Sequence, residues 1–103
     1  MIARVWTARA RTEGADGYAA HYREHVLPAL SRIDGYKGAT LLRRGHGDGV
    51  ELIVISLWIS EDAIRRFAGA DISRAVVEEP ARRVLVSFDD VVRHYEVVAS
   101  DRQ

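Results

Sequence analysis

Two histidines four residues apart, His21 and His25, lie among Tyr18 and Tyr22. On a helix that spacing sets both imidazoles on one face, beside the two phenols. Imidazole titrates near neutrality, so such a face can line a pocket mouth and move protons. Two histidines at this spacing can also begin a metal site. The H-E-x-x-H pattern is not met, however, because Tyr22 follows His21, and no third ligand stands out. A partly exposed helix edge without chemistry has the same pattern. A second cluster, His94-Tyr95-Glu96, closes the chain. In a strand, His94 and Tyr95 point to opposite faces, and His94 shares its face with Glu96. Trp6 and Trp58 suit either a core or an aromatic wall against a planar ligand. His46 sits in a glycine-rich turn with no helix after it, so that turn is no phosphate cradle. The Arg43-Arg44 and Arg82-Arg83 pairs are solvated strand ends or, functionally, a site for a carboxylate. No Ser/His/Asp set and no paired carboxylates in a recognisable context occur.

These residues need one small scaffold. A chain of 103 residues makes a single domain, with residues 1–99 as its body and 100–103 as a polar tail. Hydrophobic residues make up 48% and charged residues 29%, which is a folding composition rather than a disordered one. Fifteen basic side chains offset fifteen acidic ones, which argues against general attraction to nucleic acid or anionic membrane. The absence of cysteine excludes a disulfide framework, a thiolate nucleophile and Cys-ligated metal. Apolar runs are far shorter than the ~20 residues of a membrane helix, and the first residues lack signal-peptide architecture. A cytoplasmic protein is the expectation.

Apolar periodicity orders the elements. Residues 2–10 read as a strand. After a turn at Thr12-Glu13-Gly14, residues 15–33 carry an apolar stripe at helical spacing, with a kink expected near Glu24 to Pro28. Asp34-Gly35 ends this helix. Strands follow at 36–44 and 50–59, joined by a hairpin turn at Gly45 to Gly49. Ser60 caps a second helix carrying Ala63, Ile64, Phe67 and Ala68. Asp71 caps one more short turn, which Pro80 ends. Residues 84–98 read as one long final strand with a bulge at Asp89-Asp90. The order β-α-β-β-α-β is the ferredoxin-like pattern of the α+β class, with helices on one face of the sheet.

The other sheet face should then be polar, and it is not. Ile53, Ile55 and Leu57 oppose Leu52, Val54 and Trp58. Leu85, Val91, Tyr95 and Val97 oppose Val84, Val86, Phe88 and Val92. The unclaimed apolar face predicts a homodimer, built on Ile53, Ile55 and Leu57 with Leu85, Val91, Tyr95 and Val97. A parity change at Asp89-Asp90 would bring in Val92, His94 and Val98 instead.

Three segments carry a likeness to a known family. They are Pro28-Ala29-Leu30 leading to Asp34-Gly35-Tyr36-Lys37-Gly38-Ala39, the stretch Val54 to Ile64 through Trp58-Ile59-Ser60 with Phe67-Ala68-Gly69, and the closing His94-Tyr95-Glu96-Val97-Val98. On these the chain resembles the antibiotic biosynthesis monooxygenase family. The resemblance implies a ferredoxin-like monomer that pairs into a dimeric α/β barrel, with a pocket between sheet and helices. It also implies an oxygenase of flat aromatic, quinol or polyketide-like substrates, working without a cofactor or metal. The haem-degrading branch uses an Asn, a Trp and a His. At the matching positions stand Thr7, Phe67 and Val77, which argues against that chemistry. On this reading His25 or His94 is the base that deprotonates a phenol or quinol. Trp58, Tyr22, His21, Trp6 and Phe67 contact the substrate. The alternative is a non-catalytic, small-molecule-binding or stress-associated dimer of the same fold. An open cavity with a His or Tyr facing inward favours the enzyme, and a cavity plugged by aromatic side chains favours the binding protein.

Overall fold

The computed structural model describes residues 1–101, so Arg102 and Gln103 of the tail lie outside the described residues. Strand β1 (Ile2–Ala10) leads into helix α1 (Thr12–His21), a π-helical turn (Tyr22–Val26) and α2 (Leu27–Leu30). Strands β2 (Tyr36–His46) and β3 (Gly49–Trp58) form a hairpin, followed by α3 (Glu61–Ala68). An irregular strap over residues 69–78 then precedes α4 (Glu79–Val84), β4 (Ser87–Phe88) and β5 (Arg93–Glu96). The sheet is antiparallel with β1 inside it, between β3 on one side and β4 and β5 on the other. The helices pack on one face, as the ferredoxin-like α+β pattern requires. No described helix is long and apolar enough to cross a membrane.

Register assigns the faces. Arg4, Trp6, Ala8 and Ala10 of β1 are buried on the helix side, with Leu52, Ser56 and Trp58 of β3 beside them. Ala3, Val5 and Thr7 point to the opposite side, next to Leu57, Ile55 and Ile53. Tyr95 pairs with Ala3 and joins that outer face, while His94 pairs with Arg4 and faces inward.

Several elements differ from the sequence reading, each for a local reason. Thr12-Glu13-Gly14 is the first turn of α1 rather than a loop. A Cβ on Gly14 would stand 2.2 Å from the carbonyl oxygen of Val84, so this glycine serves a close helix crossing, not a turn. The kink expected near Pro28 takes the form of the π-turn. Pro28 has no N–H for the carbonyl of Glu24, and wider bonds such as Leu27 N–H to Tyr22 carry the helix past that gap. Asp71 caps the short turn expected there, its carboxylate accepting the backbone N–H and hydroxyl of Ser73, but that turn does not continue as a helix. Pro80 begins α4 rather than ending a segment, since the first helical turn needs no donor there.

The long final strand is cut at both ends of its apolar run. Val84 closes α4, and β4 and β5 flank the expected bend at Asp89-Asp90. Leu85 packs against the inner core and leaves the set proposed for the outer face. Val91 is exposed in the bend, and Val92 is buried inward. Gly35, at φ +92°, passes tightly over α3, where a Cβ would meet that of Ala63 at 2.5 Å. As expected, the Ser60 hydroxyl caps α3 by accepting the N–H of Ala63 at 3.1 Å.

Candidate active site

Between the inner sheet face and the helices lies a cavity of about 70 Å³. Arg4, Trp6, Val54 and Ser56 form its floor. Tyr18, His21 and Tyr22 project from α1 and the π-turn, Phe67 from α3, and Val76, Val77 and Glu78 from the strap. The volume is well under the roughly 300–1,000 Å³ of pockets that enclose drug-sized ligands. As it stands it suits one ring.

Two side chains that line this cavity each carry a buried polar atom without a hydrogen-bond partner among the described residues: Nε2 of His21 and the hydroxyl of Tyr22. Folding almost always satisfies such groups, so two of them on side chains that line one cavity make it the candidate site. His21 Nε2 stands 3.7 Å from a carboxylate oxygen of Glu78, whose side chain is largely exposed at the rim. Burial raises the pKa of Tyr22, and the neighbouring Tyr36 adds to the shift. Tyr18 is raised by burial first, then by Tyr22 and Glu78. Both phenols therefore stay neutral at pH 7, and each hydroxyl keeps its proton.

The structure thus brings His21, Tyr22, Trp6 and Phe67 together at the cavity. Trp58 stands behind the wall. It is fully buried, stacks on Phe67 with ring centroids 5.7 Å apart, and donates its indole N–H to the Ser56 hydroxyl at 2.9 Å. The two histidines expected as bases do not line the cavity. His25 is exposed on the outer side of the π-turn, its ring centroid 5.5 Å from that of His21. The helix rotation that turns His21 inward leaves His25 in solvent. Nor does the pair gain a third ligand: no group of three His, Asp or Glu side chains comes together among the described residues.

His94 faces inward but has another occupation. Its Nε2 lies 3.1 Å from a guanidinium nitrogen of Arg4. Arg4 is only a donor, so Nε2 accepts and the imidazole is neutral. Burial lowers the His94 pKa, the Arg4 charge lowers it further, and Glu61 partly opposes them. The folded state thus binds this proton less readily than the unfolded chain, whose imidazole titrates near 6.5. Stability from this site is complete above about pH 6.5 and is lost as pH falls through the lower folded value. Urea titrations at a series of pH values should show the wild-type midpoint falling below pH 6.5, and falling less in His94→Gln.

Arg4 itself escaped the sequence reading. The available signal was its parity: it shares the inward face with Trp6 and Ala8, where an arginine is out of place.

The sequence profile of the antibiotic biosynthesis monooxygenase family matches residues 1–79. The chain belongs to that family. Solved structures of the antibiotic biosynthesis monooxygenase fold superpose over nearly the whole chain. One is a putative antibiotic biosynthesis monooxygenase from Bacillus cereus, 16% identical, with a TM-score of 0.69, covering 100% of this chain and 96% of that one. Another is SnoaB, a cofactor-independent oxygenase from Streptomyces nogalater, 17% identical, with a TM-score of 0.64 over 96% and 94% of the two chains. A third is the haem-degrader MhuD from Mycobacterium tuberculosis with two haems bound, 20% identical, with a TM-score of 0.64 over 99% and 100%. No protein of curated function matches by sequence. At these identities the likeness establishes the monooxygenase-family fold. Of the positions that matched the haem-degrading triad in sequence, Phe67 and Val77 border the cavity. Thr7 lies on the other sheet face.

Proposed function

We propose that this family member is a cofactor-independent oxygenase of a flat aromatic or quinol-type substrate, with His21 as the base. The observation that carries this reading is the unpaired, buried Nε2 of His21 beside the unpaired hydroxyl of Tyr22, in a cavity walled by Trp6 and Phe67. An imidazole with a free nitrogen accepts a proton, a phenol steadies the anion left behind, and aromatic walls hold a planar ring. For an anthrone, loss of the acidic proton to His21 leaves an electron-rich carbanion. That anion passes one electron to O₂, and the resulting radical pair joins through a new C–O bond. The peroxide takes back the proton from His21, and its O–O bond then breaks as the remaining C–H hydrogen leaves with that oxygen as water, so CH₂ and O₂ become C=O and H₂O. The apolar walls keep bulk water from the reactive pair.

Incubation with anthrone under air and under argon tests this. Quinone formation with one O₂ consumed per anthrone is expected in air, and no conversion under argon. Binding of anthrone without oxygen uptake replaces this reading with a binding protein of the same fold.

The same proposal includes a homodimer through the outer sheet face. Ile53, Ile55 and Leu57 are only partly covered there, while Leu42 and Tyr95 are 46% and 51% exposed. The chain exposes 6,633 Å², against about 5,800 Å² for a compact monomer of its mass. A standard interface removes about 800 Å² per partner. Ile55→Asp or Tyr95→Asp would bury an unpaired carboxylate in that contact. Each is expected to give aggregated or unfolded protein, whereas sedimentation of the wild type should show a dimer. A well-folded wild-type monomer at micromolar concentration would refute the assembly.

A further inference from the structure

Arg4 is 4% exposed and lies on the floor of the cavity. Its guanidinium donates to the carbonyl oxygens of Ile72 and Arg74, and to Nε2 of His94. All three acceptors are neutral, and Arg4 pairs with no carboxylate among the described residues. Burial lowers its pKa to about 10, which still leaves it charged at neutral pH. A buried charge is normally matched by an opposite one. Here the unmatched cation shares a cavity with the unpaired Tyr22 hydroxyl and His21 Nε2. Phe67 lies against the guanidinium, its ring centroid 5.7 Å from Cζ.

We infer that the cavity takes its aromatic ligand as an anion, with an ionised oxygen on the ring directed at Arg4. The charge thereby selects substrate class. Neutral aromatics fit the walls alone, whereas aryl carboxylates or phenolates also neutralise the guanidinium. The inference rests on the aromatic-oxygenase reading and narrows it. For a substrate that must ionise before meeting O₂, a fixed cation on the cavity floor favours the reactive form from the moment of binding. His94 is a positioning residue, holding the guanidinium from the strand side while the strap carbonyls hold it from the other.

The test compares three one-ring probes by calorimetry and absorbance: benzoate, benzamide and 4-nitrophenol. A charge-assisted contact is worth about tenfold or more in affinity. Benzoate binding at least about tenfold tighter than benzamide, with the margin lost in Arg4→Met, supports the inference and identifies a carboxylate as one form of the anion. A bound 4-nitrophenol whose ionisation, read from its yellow phenolate band, is shifted to lower pH in the wild type but not in Arg4→Met supports it through a phenolate. Equal affinities for benzoate and benzamide together with an unshifted 4-nitrophenol overturn it, yet leave oxygen-dependent anthrone turnover standing. Failure of all three probes to bind overturns it too. In that case the argon experiment decides separately whether the oxygenase reading survives. The wild-type comparisons require no variant, so the result holds even if Arg4→Met, which loses the strap's anchor, does not fold. An Arg4 that only pins the strap predicts equal binding of the charged and neutral probes.

Discussion

His21→Ala is expected to lower turnover of an oxidisable aromatic by about 10²–10⁴-fold, the usual contribution of a positioned acid or base. The expectation rests on position. His21 borders the cavity with its Nε2 buried and unpaired, and the Glu78 carboxylate stands 3.7 Å away. The side chain is small relative to the cavity wall, so KM should change far less than kcat. A loss confined to kcat marks an interaction made in the transition state rather than in binding. His25→Ala is the contrast. Its ring is in solvent, and its rate should stay within about a factor of two of the wild type. Steady-state oxygen uptake on the two variants separates these outcomes. A His21→Ala protein with an unchanged rate would return the proton to some other group and remove the proposed mechanism.

Trp58→Ala is expected to cost about 3–5 kcal/mol of stability, as for other large aromatic deletions from a packed core. No part of Trp58 reaches solvent. It is held edge-on by Tyr36 at 5.4 Å and stacked by Phe67 at 5.7 Å between centroids. Its removal also strips the buried Ser56 hydroxyl of the indole donor. In a domain of this size, the melting temperature should fall by at least about 12 °C. Trp58→Phe keeps much of the packing and loses the indole N–H, so its cost should be nearer 1–2 kcal/mol. Denaturant unfolding followed by circular dichroism measures both. Because Phe67 rests on Trp58, a folded Trp58→Phe protein should also bind aromatic probes more weakly. A cost near zero for Trp58→Ala would mean that the cavity wall is not built on this stack.

What the sequence made readable followed from periodicity. Alternation in β3 sorted Leu52 from Ile53, and helical spacing brought Tyr18, His21 and Tyr22 to one face. Short or charged features resisted. The six residues of α4 are too few to establish a helical period, and the run Val84-Leu85-Val86, which begins at its last residue, imitates a strand. Distance between His21 and His25 along the chain could not tell which imidazole turns inward, because that depends on how the helix sits on the sheet. Trp58 was legible as an aromatic near the site but not as the layer behind it. Arg4 was hidden by the ordinary expectation that arginine seeks water, and its burial depends on carbonyls nearly 70 residues away.

The π-turn at Tyr22–Val26 makes chain length, rather than composition, the sensitive variable in this helix. Successive α-helical residues advance by about 100° around the axis. One residue removed from this stretch would let the backbone close into regular α-helix and rotate everything on one side by that angle. Either Tyr18 and His21 would leave the cavity, or Leu30 would leave the core. Arg23 and Glu24 are exposed, so almost any side chain is admissible at either position. Neither position can be vacated. Sequences that share this cavity should therefore vary freely in what stands there while conserving the number of residues between Tyr22 and Leu30.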